Sequence, residues 1–234
     1  MISLRRVLVI LICLCMVALP ITATAQEKLV ALTFDDGPSG IFTKKLLAGL
    51  DKRGGKATFL LCGYRMEQYP ELTEQIIAQG HEIGLHGYCH KSMENMCQRD
   101  VTQEIEKSIE LLPEDYAVSF LRPPGGLYGS CVQAAAEEQD LAILHWSIDP
   151  KDWATQDMQA IKKAVVDQAQ DGDVILMHDM SYASVNAALA IVDALQAKGF
   201  RFVTASQLAK ARNVNLVPGK KYARFKKPNS EDLK

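Results

Sequence analysis

The sequence predicts an α/β fold in which parallel strands alternate with helices. From residue 28 onward, short apolar runs typical of buried strands recur about seven times, and segments with helical periodicity separate them. The connections are short, which favours right-handed crossovers between parallel strands. A closed barrel and an open sheet both satisfy this pattern, and in both architectures the ligand lies at the carboxyl ends of the strands.

The predicted elements follow one another in regular order. We predict strands at residues 29–34, 57–62, 82–86, 118–121, 143–148, 174–177 and 202–203. Apolar pairs mark helical faces between them: Leu46 with Leu50, Leu72 with Ile76, and Ile105 with Ile109. Asp157 and Ser184 are expected to cap the amino ends of two later helices.

The first 25 residues are expected to be a signal peptide. Arg5 and Arg6 precede an apolar stretch over residues 7–19, and Ala23-Thr24-Ala25 supplies a cleavage signature. We therefore expect a secreted or cell-envelope protein with no stable membrane span after cleavage; an uncleaved anchor is the alternative.

The rest of the chain is expected to divide into a domain over residues 26–210 and a basic tail over residues 211–234. The tail is interpreted as a solvated terminus, with attraction to an anionic wall polymer as the alternative.

Composition narrows the function classes. The formal net charge of −2 becomes −4 when the two arginines of the signal peptide are removed, so nothing favours nucleic acid as a partner. Neither a Gly-x-Gly-x-x-Gly motif nor a P-loop follows the first strand, which argues against the usual dinucleotide and nucleotide sites. A monomer is expected.

Four cysteines remain after removal of the signal peptide. They are interpreted as structural, and their disulfide state is left open: Cys62, Cys89, Cys97 and Cys131.

Two acids stand where the first predicted strand ends, in the hexapeptide Thr-Phe-Asp-Asp-Gly-Pro that begins at Thr33. Adjacent strand residues point to opposite sides, so Asp35 and Asp36 are expected to lie in different environments. One carboxylate can then bind a metal while the other moves protons.

Two histidines follow the third predicted strand, in the segment His86-Gly87-Tyr88-Cys89-His90. They share one face if this turn is helical, and with the carboxylate of Asp36 they complete a three-ligand metal set with positions left for water and substrate. The segment is not the metalloprotease helix motif, because Gly87 stands where that motif needs Glu.

Three further strand ends carry chemistry. Arg122 opens the loop Arg-Pro-Pro-Gly-Gly, where it can stabilise a neighbouring carboxylate, and the glycines Gly125 and Gly126 let the backbone approach an oxyanion. Asp149 and His178 follow the fifth and sixth strands, and a carboxylate beside His178 would favour a general acid. One site explains five polar strand ends better than five separate structural roles do.

These motifs resemble those of a known family. TFDDGP, HGYCH, RPPGG, DPKDW and ILMHD stand in the order and at the approximate spacings of the polysaccharide deacetylases of carbohydrate esterase family 4, the NodB homology domain, over about residues 28–210. The resemblance implies a distorted (β/α) barrel of about seven parallel strands. It also implies hydrolysis of N- or O-acetyl groups on sugars with a divalent metal, zinc first, with cobalt or another divalent ion as alternatives.

The resemblance assigns roles by motif position. Asp36, His86 and His90 would bind the metal. Asp35 would be the general base and His178 the general acid. Arg122 would orient Asp35 and Asp149 would support His178. The substrate-binding residues would be Gly125, through its backbone, and Trp153 and Leu176, which would line the acetyl pocket.

The sequence departs from the family pattern at two glycines. Gly87 replaces the usual Ser or Thr after the first histidine, so a hydrogen bond that steadies the turn is expected to be missing. Gly125 stands where Tyr is common, which removes an aromatic wall. The segment DPKDW keeps both acids, which ranks the muramic δ-lactam deacetylases lower.

The expected function is a hydrolase acting on carbon–nitrogen bonds other than peptide bonds, with N-acetylglucosamine residues of cell-wall peptidoglycan as substrate. Chitin oligomers and acetylated xylan are the alternative substrates. From other classes, a non-haem iron oxygenase would share the two histidines and one carboxylate. A catalytically silent wall-binding protein would explain the basic tail.

Overall fold

The computed structural model describes residues 27–226, so the predicted signal peptide lies outside the described residues. The strands are β1 (Lys28–Asp35), β2 (Thr58–Leu61), β3 (Glu82–Leu85), β4 (Phe120–Leu121), β5 (Ala142–Leu144), β6 (Val174–His178), β7 (Phe200–Val203) and β8 (Lys221–Tyr222). The helices are α1 (Ile41–Asp51), α2 (Gly63–Gln68), α3 (Pro70–Ala78), α4 (Gln98–Ile109), α5 (Ser130–Glu138), α6 (Met158–Val166), α7 (Tyr182–Ala197) and α8 (Ala205–Ala211).

The sheet is parallel and closes into a distorted barrel. Its strands follow the order β6-β1-β2-β3-β4-β5-β8, and β7 pairs with the first half of β1. Ile148, beyond the end of β5, forms a parallel bridge with Ile175 of β6. This bridge connects strands from opposite ends of the strand order. The predicted NodB-type barrel is therefore confirmed, with β8 as a short strand that the sequence did not predict.

The first strand runs through the middle of the fold and is buried on both faces. Val30, Leu32 and Phe34 belong to the apolar cluster that includes the core faces of the helices. Leu29 and Ala31 belong to a second cluster, inside the barrel. Because side chains alternate along a strand, the inner series continues through Thr33 to Asp35. The alternation alone thus directs the Asp35 carboxylate into the barrel.

The folded domain extends past residue 210, where the sequence placed its end. Tyr222 of β8 pairs with β5, and Phe225 is buried in the cluster inside the barrel. Arg224 also forms an ion pair with the buried carboxylate of Asp173. The expected boundary between domain and basic tail is therefore too early, because apolar residues in the basic segment complete the core.

Of the two predicted helix caps, one is confirmed and the other is wrong. Asp157 caps α6, accepting hydrogen bonds from the backbone N–H groups of Gln159 and Ala160. Ser184 does not cap α7; the cap is Ser181, whose side chain accepts from the backbone N–H of Ser184.

Within residues 27–226 the four cysteines are free thiols, Cys62 buried and the others at least partly accessible. None of the helices described here has the length and hydropathy needed to cross a bilayer.

Candidate active site

Asp35 ends β1 inside the barrel and contacts a fully buried arginine. Nη1 of Arg122 donates to Oδ1 of Asp35 at 2.5 Å and to the hydroxyl of Thr33 at 2.9 Å. The same guanidinium donates to the carbonyl oxygens of Leu144 and His145, both at 2.9 Å. Burial lowers the pKa of Arg122, and the charge of Asp35 opposes that shift. The arginine thus fixes the orientation of Asp35 and places a positive charge beside its carboxylate.

Asp36 points away from Asp35 because the chain turns sharply between them. Its φ of 73° is in the left-handed region, which a residue other than glycine seldom adopts. The turn carries the Asp36 carboxylate toward His86 and His90. Burial would raise the pKa of Asp36, but the two imidazoles outweigh that effect and hold it far below its usual value. The two acids are therefore in different environments.

Three possible metal ligands converge at this turn. Oδ1 of Asp36 lies 3.0 Å from Nε2 of His90 and 3.3 Å from Nε2 of His86. Even so, this buried oxygen has no partner with hydrogen-bonding geometry among the described residues. Donor atoms that crowd together without bonding to one another fit a cation placed between them. One carboxylate and two imidazoles are a suitable set for zinc and for several other divalent ions.

The hydrogen bonds of His86 leave the correct nitrogen free for a metal. Nδ1 of this buried ring lies 2.6 Å from the carbonyl oxygen of Arg122. A carbonyl can only accept, so Nδ1 carries the proton and Nε2 keeps its lone pair. Arg122 therefore orients Asp35 through its side chain and His86 through its backbone.

The turn that holds the two histidines is not helical. Gly87 and His90 both have positive φ, 75° and 56°, and a Cβ on Gly87 would lie 2.6 Å from the terminal carbon of Met93. Glycine adopts this positive φ without the strain that Ser or Thr would meet, although the flexible Met93 side chain could move aside. Oε2 of Glu104 accepts from the backbone N–H groups of Tyr88 and Cys89, at 2.8 and 2.9 Å. This carboxylate steadies the turn in place of the expected side-chain hydrogen bond.

His178 is hydrogen-bonded to Asp152 and not to the expected Asp149. Oδ1 of Asp152 lies 2.8 Å from Nδ1 of His178, and its Oδ2 accepts from the backbone N–H of the same residue at 2.9 Å. Oδ1 of Asp149 instead accepts from the backbone N–H of Lys151 at 2.8 Å. A 3₁₀ turn at Asp152–Ala154 buries the second acid of DPKDW beneath the histidine, which motif position alone did not reveal.

Asp152 also sets the protonation of His178. Burial lowers the pKa of this imidazole, but the hydrogen bond and charge of Asp152 outweigh that effect and raise the pKa to about 9. The ring is therefore cationic near neutral pH and has a proton to donate. Its strand, β6, pairs with β1 so that His178 and Asp35 are direct register partners.

These side chains surround one pocket of about 370 Å³ at the carboxyl ends of the strands. Nine of the ten residues selected from the sequence line it, and Arg122 lies beneath Asp35 with no exposed surface. Trp153 is 65% exposed at the rim, whereas Leu176 is buried in the wall. Trp146 completes the lining, with its ring over the Arg122 guanidinium at 5.5 Å. The fold is an α/β barrel, and the carboxylates, imidazoles and arginine at its strand ends are the residue types that metal-assisted hydrolysis uses.

Comparison with known proteins assigns the family. The polysaccharide deacetylase family model matches residues 22–144, more than half of the chain. A peptidoglycan-N-acetylglucosamine deacetylase of Bacillus cereus is 35% identical over 194 residues, which cover 80% of this chain and 91% of that protein. The chain belongs to the polysaccharide deacetylase family.

Two further relatives extend the comparison. The peptidoglycan-N-acetylmuramic acid deacetylase PdaC of Bacillus subtilis is 32% identical over 82% of this chain, which spans only 41% of that protein's length. Its solved structure matches with a TM-score of 0.76, covering 80% of this chain and 93% of that one. A family 4 acetyl xylan esterase from Clostridium thermocellum, solved with a cobalt ion, has a TM-score of 0.78 at 28% identity, covering 84% of this chain and 98% of that one.

Proposed function

We propose that this protein is an exported, metal-dependent deacetylase that hydrolyses the acetamido group of N-acetylglucosamine residues in peptidoglycan. The observation that carries the proposal is the shared pocket, in which Asp35 and His178 lie on adjacent strands beside the ligand set of Asp36, His86 and His90. The name of the Bacillus cereus relative, which aligns over nearly its whole length, supports the choice of substrate.

Asp35 and His178, on two sides of the pocket, each carry out one of the two proton transfers. Asp35, oriented by Arg122, accepts a proton from the attacking water, whose oxygen bonds to the acetyl carbon. His178, cationic through Asp152, donates a proton to the sugar nitrogen as the carbon–nitrogen bond breaks. Acetate and the free amine leave. A divalent ion held by Asp36, His86 and His90, zinc first, would polarise the acetyl carbonyl and lower the pKa of water.

The remaining wall positions the acetyl group. Leu176 and Trp153 supply apolar surface next to His178, suited to the methyl group. Gly125 has positive φ, and a Cβ added to it would meet no heavy atom within 4 Å, so the pocket is open on that side. Open space there admits a sugar within a chain as well as a chain end. Chitin oligomers are the second candidate substrate, because their acetamido group is the same.

Acetate release tests the proposal. Peptidoglycan and chitin oligomers are incubated with the wild-type protein, with a chelator, and with zinc or cobalt restored after chelation. We expect release that the chelator abolishes and the metal restores, and faster release from peptidoglycan. Release that continues without any divalent ion would overturn the mechanism, and a preference for chitin would overturn the substrate. Tryptic shaving of intact cells would test the exported location.

A further inference from the structure

A second depression of about 540 Å³ lies next to the catalytic pocket; we call it the side groove. One wall is the segment that follows the aspartate turn, including Gly40 and Lys44 at the start of α1. The other wall comes from α2 and the residue after it, Arg65 and Tyr69. Gly40 has a positive φ of 50°, and the Tyr69 ring packs 3.5 to 3.6 Å from where its Cβ would lie.

The side groove adjoins the catalytic pocket through a smaller depression. Met180 lines the side groove and also a smaller depression of about 250 Å³. Asp36, His178 and Trp153 line both this smaller depression and the catalytic pocket. A chain of sugars with one residue in the catalytic pocket can therefore extend over Met180 into the side groove.

The side groove carries two cations without acidic partners. Among residues 27–226, neither Lys44 nor Arg65 has a carboxylate oxygen within 4.0 Å. Arg65 instead contacts neutral groups, the hydroxyl of Tyr64 at 3.1 Å and Oε1 of Gln68 at 3.5 Å. Glu71 also lines the groove, which leaves one net positive charge. A guanidinium and an ammonium that line the same groove suit a ligand that bears a carboxylate.

Apolar side chains also line the side groove or lie beside it. Ile41 and Phe42 line it, and Ile41 is 60% exposed. Tyr182, 53% exposed, packs edge-on against Phe42 with centroids 4.9 Å apart, and the Lys45 ammonium lies over its ring at 5.0 Å. Large apolar side chains gathered beside a groove mark a binding surface. Flat aromatic and aliphatic surface suits the apolar face of a sugar ring, so the groove combines a place for a sugar with a place for an anion.

We propose that the side groove binds a carboxylate borne by a sugar near the one that is deacetylated, so that the enzyme selects anionic over neutral glycan strands. This inference rests on the proposed function. The carboxylate has two possible sources in a peptidoglycan strand: the ether-linked acid on the sugar itself, or the acids of an attached peptide. Both present the same group to Lys44 and Arg65.

Kinetics on three substrates test the proposal: a neutral chitin pentamer, glycan strands freed of peptide by an amidase, and strands that keep their peptides. The Lys44→Ala, Arg65→Ala double variant is compared with the wild type. We expect its preference for anionic strands, as a ratio of kcat/KM values against the pentamer, to fall roughly tenfold through KM, because both cations that contact the carboxylate are removed and exposed ion pairs are individually weak. A loss with peptide-free strands assigns the sugar's own acid; a loss confined to peptide-bearing strands assigns the peptide.

A charge-matched control separates the groove from net charge. Arg99→Ala with Lys210→Ala removes two exposed cations that line none of the three depressions above. This variant should keep the wild-type preference. An equal loss of preference in both double variants would assign the effect to overall charge and overturn the proposal.

Calorimetry on the Asp35→Asn background measures binding without turnover. Peptide-free strands should bind more tightly than the pentamer, and Lys44→Ala with Arg65→Ala should remove that difference, as should about 0.5 M salt if screening weakens the contact. Equal affinities for both glycans would overturn the side-groove proposal even if acetate release is normal. If the wild type released no acetate from any glycan, the proposed function would fail, and the binding comparison would still decide the role of the groove.

Discussion

Asp152 binds His178 at two points, Nδ1 at 2.8 Å and the backbone N–H at 2.9 Å, and the acid itself is only 1% exposed. The carboxylate therefore fixes both the ring and the end of the strand that carries it. It also leaves Nε2 as the nitrogen that can face a substrate. The role proposed for His178 as proton donor thus depends on Asp152, which does not line the catalytic pocket.

Replacing Asp152 should make His178 a weaker base that loses its proton at lower pH. The pKa of about 9 falls when the hydrogen bond and charge of Asp152 are removed, because burial, which lowers the pKa, is then opposed only by the charges of Asp35 and Asp36. A general acid is active only when protonated, so the alkaline limb of the kcat profile should move to lower pH in Asp152→Asn. Initial rates from pH 6 to 10 measure this. Asp149→Asn is the matched control, and an equal shift in both variants would contradict the assignment.

Asp35→Asn should retain metal and lose turnover. The general base contributes about 10²- to 10⁴-fold to such reactions, so kcat should fall by that order. The donor atoms of Asp36, His86 and His90 are untouched, so the zinc content after dialysis should match the wild type. His86→Ala should lose both the bound metal and turnover. Its melting temperature should also no longer rise when zinc is added. Equal zinc content in the two variants would show that the division between Asp35 and the histidine is wrong.

Arg122→Lys should destabilise the fold. The guanidinium makes four hydrogen bonds in a fully buried site, and one ammonium cannot reach acceptors on β1 and beyond β5 together. Each buried acceptor left without a donor costs about 1 to 3 kcal/mol, which urea unfolding would detect. Arg53→Lys is the control, since Arg53 pairs with Asp193 at the surface and should change the free energy of unfolding by less than about 1 kcal/mol.

His81 should make the fold sensitive to mild acid. Burial lowers the pKa of this ring from 6.5 to about 4, so between these values the unfolded chain binds more protons than the folded one. Its contribution to stability is complete above pH 6.5 and is lost as the pH falls through 4. Nδ1 accepts from the backbone N–H of Ala57 at 3.2 Å, a bond that the amide oxygen of His81→Asn can replace. Unfolding free energies at pH 7 and pH 4 should differ less in that variant, and parallel values would exclude the assignment.

Periodicity and motif order predicted most of this molecule. The strand pattern indicated parallel pairing, and alternation along β1 separated Asp35 from the residues that face the helices. The closure of the barrel at Ile148 was not predictable, because an isolated bridge between distant residues leaves no periodic signal. The same holds for β8, whose two residues lie in a basic segment.

The errors in the site come from residues that act through a turn. DPKDW offers two acids three positions apart, and only the 3₁₀ turn decides which one reaches His178. Glu104 approaches the histidine turn from α4, so no local motif marks it. The sequence contains both acids, Asp152 and Glu104, but their hydrogen-bond partners are set by the tertiary fold and not by local sequence.

The pairing of Asp35 with His178 across β1 and β6 means that the spacing between the proposed base and the proposed acid is set by the sheet and not by the loops. A slip of one rung would turn each side chain to the opposite face, so the spacing is either kept or lost with the ladder itself. The segments that carry Trp153 and Arg65, a 3₁₀ turn and the short helix α2, lie outside this strand pair, so they can vary and select different glycans while the spacing between Asp35 and His178 stays the same.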